Sequence, residues 1–205
     1  MASKKSPSIF GTLQKTTEAA SAVNGEFVRQ LRVSDLVDNP MNRFSMAEDE
    51  QFLSTVESVK KDGFLEDIIV PPAATEGKYR IVSGHRRVAA AKKLGKTTVP
   101  CKVRHYEDSL AELRALMGAN LHRRNLSPFD MARQLETLRE VLKSENKLPA
   151  NVKEQSTLMA GQTDLSRATV ERYFDLLNLD ETLTAWAESG KMTMTDAYEL
   201  ARKSN

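Results

Sequence analysis

Apolar residues follow two spacings along this chain. Up to about residue 104 short alternating runs are interleaved with helical stretches, and beyond Asn125 only the helical spacing remains. Phe27, Leu31 and Val33 fall on one face at the period of a strand. Asp38-Asn39-Pro40 then turns the chain, and Ser45 with Glu48 forms a capping box ahead of a helix whose Phe52, Val56 and Val59 share a face up to a stop at Gly63. Ile68-Ile69-Val70, ended by Pro71-Pro72, and residues 78–83 read as strands. Gly84 opens a helix through Val88, Ala91 and Leu94 that Gly95 closes, and a further strand covers residues 99–104. Ser109 with Glu112 caps the next helix. Ser127-Pro128 supplies an N-cap and a first-turn proline for a helix carrying Met131, Leu135, Leu138 and Leu142.

This order predicts an α+β protein in which a small mixed-sheet domain, residues 26–124, precedes an all-helical one, residues 125–205. Residues 1–25 are rich in Ser, Thr, Ala and Lys and bury too little apolar surface to offset ordering, so they read as a flexible arm. Lys4 and Lys5 could touch DNA from it, although a solvated tail is the simpler reading. At 205 residues and 40% hydrophobic content the chain can build one or two cores, and a net charge of +2 removes any argument from overall basicity. Cys101 is the single cysteine and lies in the alternating run Val99, Cys101, Val103, which predicts a buried thiol in a cytoplasmic protein. No apolar run is long enough to cross a bilayer, so no membrane partner is expected.

Two arginine runs carry the candidate chemistry: Ser83-Gly84-His85-Arg86-Arg87 and Asn120-Leu121-His122-Arg123-Arg124. A guanidinium is a planar fork of donors that phosphate oxygens accept two at a time, so such runs point to a nucleotide or a nucleic acid. In the helical half, Ala160, Asp164-Leu165-Ser166, Thr169-Val170 and Arg172 have the spacing of a helix-turn-helix, with Asp164 where a left-handed residue is common. Val170, Tyr173, Phe174 and Leu177 are expected to face inward. Arg167, Ala168, Thr169, Glu171 and Arg172 then face outward, with Ser166 as the N-cap. From these residues alone a helical hairpin with a solvated charged face remains an equal alternative.

The motifs taken together resemble the ParB family of DNA-partition proteins. Residues 58–70 are similar to its first nucleotide motif, Gly84 to Ala91 to its second, and Ala119 to Pro128 to its third, in the family's order and ahead of the helix-turn-helix. The resemblance covers roughly Gln30 to Lys203 and implies a ParB/sulfiredoxin-like domain followed by a DNA-reading domain. It also implies a homodimeric clamp on double-stranded DNA with a palindromic site, closed by CTP with magnesium and moved by a ParA-type ATPase. Carried onto this chain, Ser83, Gly84, His85, Arg86 and Arg87 would hold the triphosphate, with Asn120, His122, Arg123 and Arg124 near it. Phe64, Leu65, Glu66 and Asp67 would line the base and sugar, and Ser166, Arg167, Ala168, Thr169 and Arg172 would contact DNA.

Three departures shape the expectation. His85 replaces the glutamate that the family associates with hydrolysis, Ala119 replaces the one associated with magnesium, and Glu66-Asp67 replaces Gln-Pro. Alanine cannot bind a hard cation, so the chain is expected to be a CTP-binding switch with weak or no CTPase activity. Surface contacts to DNA or a partner are the alternative for His85 and His122. Two other functions stay open: a transcription regulator of a plasmid or integrative element, and a nucleotide-dependent enzyme of the same superfamily.

Overall fold

The structure is a computed structural model, and it describes residues 27–44, 48–121 and 127–204. The expectations for the N-terminal arm with Lys4 and Lys5, for Ser45, and for His122, Arg123, Arg124, Asn125 and Leu126 lie outside the described residues, as does the side chain of Phe27. Packing divides the chain into two units. The described residues of Met1–Asn39 and Ala47–Tyr106 form one, and those of Pro40–Met46 and Glu107–Asn205 the other.

In the first unit, β1 (Phe27–Arg32), β5 (Thr98–Val103) and β3 (Ile68–Val70) form a sheet in the order β1-β5-β3, antiparallel between β1 and β5 and parallel between β3 and β5. The central strand β5 buries every second side chain, Val99, Cys101 and Val103, as the alternation predicts. Pro100 is tolerated there because β3 pairs only with Cys101 to Val103. A short 3-10 turn (Val33–Asp35) leads into β2 (Leu36–Val37), which pairs in parallel with β4 (Tyr79–Arg80). The strand expected over residues 78–83 is thus reduced to β4. Beyond it Ile81 donates to the Val37 carbonyl, while Ser83 bridges back to Ile69, so this stretch changes partner before a longer ladder can form.

Helix α1 (Glu50–Lys61) buries Phe52, Val56 and Val59 against α2 (His85–Lys93). Side chains so buried contribute about 1.5–3 kcal/mol each. Helix α2 is covered on both sides, with Val88 and Ala91 in the sheet core and Ala90 under α1, and its alanines let both neighbours approach. The α1 N-cap is Asp49, whose carboxylate accepts from the Phe52 amide at 2.8 Å.

The second unit holds α3 (Ser109–Leu121), α4 (Pro128–Ser144), α5 (Val152–Gln162), α6 (Arg167–Leu176), α7 (Glu181–Glu188) and α8 (Met194–Lys203). The division between Tyr106 and Glu107 differs from the seam read after Arg124, because α3, with Leu113, Leu116 and Met117 buried, packs on α4. Asp108, rather than Ser109, caps α3 by accepting from the Ala111 amide. Ser127 and Pro128 open α4 as expected, and Met131, Leu135, Leu138 and Leu142 are buried. Buried Gln134 accepts from the Arg43 amide and donates to the Met41 carbonyl, both at 3.0 Å, which ties the Pro40–Phe44 stretch to α4. Phe129, Ala132, Leu176, Leu179, Ala187, Ala197 and Ala201 form the core where α4, α6, α7 and α8 meet. Among the described residues no helix is long and apolar enough to cross a membrane.

Candidate functional site

The strand-to-helix turn of the first unit reverses the chain beside two arginines. The Val82 and Ser83 amides both donate to the Ile69 carbonyl, and the chain then reverses through Gly84 at φ +95° into α2. Only glycine suits this turn. A Cβ there would stand 3.0 Å from Ile68 Cγ1 and 3.3 Å from Arg87 Nε, in a conformation L side chains rarely adopt. Gly84 has no side chain with which to cap α2, and the helix dipole at this end favours negative charge.

Arg86 and Arg87 flank this turn, and both are held by carboxylates. Arg86 donates Nη1 and Nη2 to the two oxygens of Asp49, each at 2.8 Å, and Nη1 also reaches Gln51 Oε1 at 3.3 Å. Its side chain is 17% exposed. Among the described residues its buried Nε has no hydrogen-bond partner. Arg87 donates to the Asp67 carbonyl at 3.1 Å and pairs with Glu66 Oε2 at 3.2 Å. The Arg86 hydrogen bond and the Phe52 amide hold the Asp49 carboxyl below its usual value. Lys93, on the same helix as Arg86, meets Glu48 at 2.6 Å, so two consecutive acidic residues ahead of α1 grip α2.

The structure therefore brings Glu66, Asp67, Ser83, Gly84, Arg86 and Arg87 together. Phe64 is half-buried beneath Lys96 Nζ, 5.9 Å from its ring centre, and Leu65 is exposed. His85 points inward and is 4% exposed. Asn120 belongs to the second unit, where it is buried and donates to the Leu116 carbonyl of its own helix. Asp49 and Gln51 escaped the sequence reading. Their signal was an acidic N-cap three residues before the first buried position, Phe52, and the capping box drew attention to Ser45 instead.

In the second unit α5, the turn Thr163 to Ser166 and α6 follow one another as the spacing predicts. Ser166 Oγ caps α6 by accepting from the Thr169 amide at 3.1 Å, and it shares a 2.8 Å hydrogen bond with the Thr169 hydroxyl. Ala168 is exposed, Arg167 pairs with Glu171 at 3.4 Å, and Arg172 lies 4.4 Å from the centre of the Tyr198 ring. Val170 is buried and Tyr173 and Phe174 are half-buried. Leu177 is instead 37% exposed, because α6 ends at Leu176 and the core takes Leu176 and Leu179. Nor does Asp164 adopt a left-handed conformation; the turn closes with Thr163 extended and a Leu165 amide contact to the Thr163 carbonyl.

A small α+β domain with a glycine-arginine turn, joined to a helical domain, defines the class. The model of the ParB N-terminal domain matches residues 17–121, more than half of the chain, and the chain belongs to the ParB family. It is 31% identical to Stage 0 sporulation protein J of Bacillus subtilis over 169 residues, 82% of this chain and 55% of that one. The C-terminally truncated ParB of Caulobacter crescentus, solved in complex with the centromeric parS site, is 29% identical, with a TM-score of 0.55 over 84% of each chain. The Pnob8-like ParB-N domain shares the fold, with a TM-score of 0.60 at 13% identity over 84% of this chain and 78% of that one. The chain spans about half the length of the curated chromosome-partitioning relatives it matches.

Proposed function

We propose that this chain is a site-specific DNA-binding partition protein whose DNA grip responds to CTP. The observation that carries the reading is the Gly84 turn, which opens a helix without a side-chain cap and with two arginines in its first turn, in a chain of the ParB family. A triphosphate needs many donors close together. The Arg86 and Arg87 amides at the helix start and the two guanidinium forks supply them, a donor set that fits such a group. CTP would bring the negative charge that these groups gather, with Phe64 to Asp67 toward the base and sugar.

The donor set does not suit magnesium. Ala119 offers no oxygen where the family has a glutamate, and among the described residues no three His, Cys, Asp or Glu side chains converge. The reading is therefore of a binding switch and not of an efficient CTPase. Helix α6 would enter the major groove as the second helix of a helix-turn-helix, with Arg167, Ala168, Thr169 and Arg172 toward the bases and phosphates and Ser166 at its start. A palindromic site read by a homodimer, and a ParA-type ATPase as motor, complete the proposal. The likeness to a relative solved on its parS site supports the DNA half of it.

A genome-wide binding map with and without CTP tests the whole reading. Peaks that spread over kilobases only when CTP is present are expected. Narrow peaks at promoters under both conditions would replace the clamp with a transcription regulator, and no sequence-specific peaks would remove the DNA-reading role.

A further inference from the structure

We propose that Asp49 is a built-in competitor for the phosphate arginine: its carboxylate holds Arg86 in the place of an anionic ligand and must release it before a nucleotide can bind. The inference rests on the reading of Arg86 as a phosphate ligand. A guanidinium edge donates to one two-pronged anion at a time, and Asp49 already takes both Nη atoms of Arg86 at 2.8 Å, while Nε is buried. A phosphate that engages the same edge must therefore displace the carboxylate, so the measured affinity is the difference between the two contacts. The exchange is local. Asp49 is 44% exposed and can turn to solvent, while its Oδ1 keeps accepting from the Phe52 amide, so α1 stays capped when Arg86 leaves. Glu66 stands against Arg87 in the same way at 3.2 Å, although it is 79% exposed and its grip is correspondingly weaker.

The consequence reaches beyond affinity. Arg86 links α2 to the start of α1 through Asp49 and Gln51, so ligand capture by Arg86 removes both contacts at once. Asp49 thereby makes the α1 start a reporter of nucleotide occupancy.

Two variants separate the competitor from the cap. Asp49→Asn keeps a capping oxygen and loses the charge, and Asp49→Ser caps but is too short for a two-pronged contact. Titration calorimetry of the full chain with CTP should show about two- to fivefold tighter binding for both, the range expected of a partly exposed ion pair. The gain should vanish when Arg86→Ala is added. Unchanged or weaker CTP binding by both variants, with the parent chain binding CTP, overturns the competitor role and leaves the nucleotide reading intact. If no variant binds CTP, inorganic tripolyphosphate is the second probe. The same Arg86-dependent gain with tripolyphosphate upholds the competitor and removes the cytidine reading, and no binding of either ligand removes both.

Discussion

At Gly84 a single backbone angle dictates the residue. Its φ of +95° and the 3.0 Å approach of Ile68 leave no room for a side chain, so Gly84→Ala combines backbone strain with a core clash. A loss of about 1–3 kcal/mol is expected in urea unfolding, together with loss of CTP binding. Cys101 is the opposite kind of residue, chemically silent because it is buried. Burial, with a smaller contribution from Asp67, pushes its thiol up from 9.0 to about 12. Iodoacetamide at pH 8 should leave it unmodified in the native protein and label it once the chain is unfolded. Because the folded value is the higher one, its contribution to stability is complete below pH 9.0 and is lost between there and about 12, where only the unfolded thiol ionises. Replacing Cys101 by Val should flatten that alkaline decline.

At the scale of elements, Gln134 on α4 has a larger structural part than its polarity suggests. It is fully buried and satisfies the Met41 carbonyl and the Arg43 amide at once, while Thr137 one turn on accepts from Arg43 Nε at 3.2 Å. Gln134→Met preserves volume but strands two backbone groups, and a cost of about 2–4 kcal/mol is expected in thermal or urea unfolding. Faster amide exchange at Arg43 should accompany it. Helix α6 carries the complementary prediction for DNA. Arg167 and Arg172 are steadied by Glu171 and the Tyr198 ring rather than buried, so alanine at either should leave the fold intact. Affinity for the native site should fall by about 1–3 kcal/mol if the lost contact reads a base, with a weaker salt dependence if it holds a phosphate. Unchanged binding by both folded variants would remove α6 from the DNA interface.

For the molecule as a whole, two positions in different units bear on turnover, His85 and Ala119. Phosphoryl transfer needs a group that positions water and a cation that offsets developing charge. His85 is buried inside the first unit, and Ala119 is exposed on α3 of the second with no oxygen to offer. Phosphate release with magnesium, CTP and the native DNA site should therefore stay low and rise little on adding DNA. Restoring the family carboxylates should have unequal effects on folding. Ala119→Glu adds a solvated charge and should be neutral for stability, whereas His85→Glu places one at a position only 4% exposed and should destabilise. Fast DNA-stimulated turnover by the parent chain would show that another residue supplies the missing group.

The sequence by itself determined the succession of elements, because each depends on local rules: the alternation at Val99, Cys101 and Val103, the helical spacing from Phe52 to Val59, the Ser127-Pro128 and Ser166 caps, and the punctuation at Gly63, Gly84 and Gly95. The family was legible as well, from three short motifs in order, and residues 17–121 match its model. Tertiary structure alone decided which elements share a core. An apolar face on α3 does not say which neighbour will cover it, so the division at Tyr106 and Glu107 could not be read locally. Leu176 and Leu177 are adjacent candidates for one helical face, and only the packing of α4 and α8 selects the first. The partner of Arg86 lies in the same class. Asp49 is 37 residues away in the chain, and a contact at that separation exists only after α1 has folded onto α2.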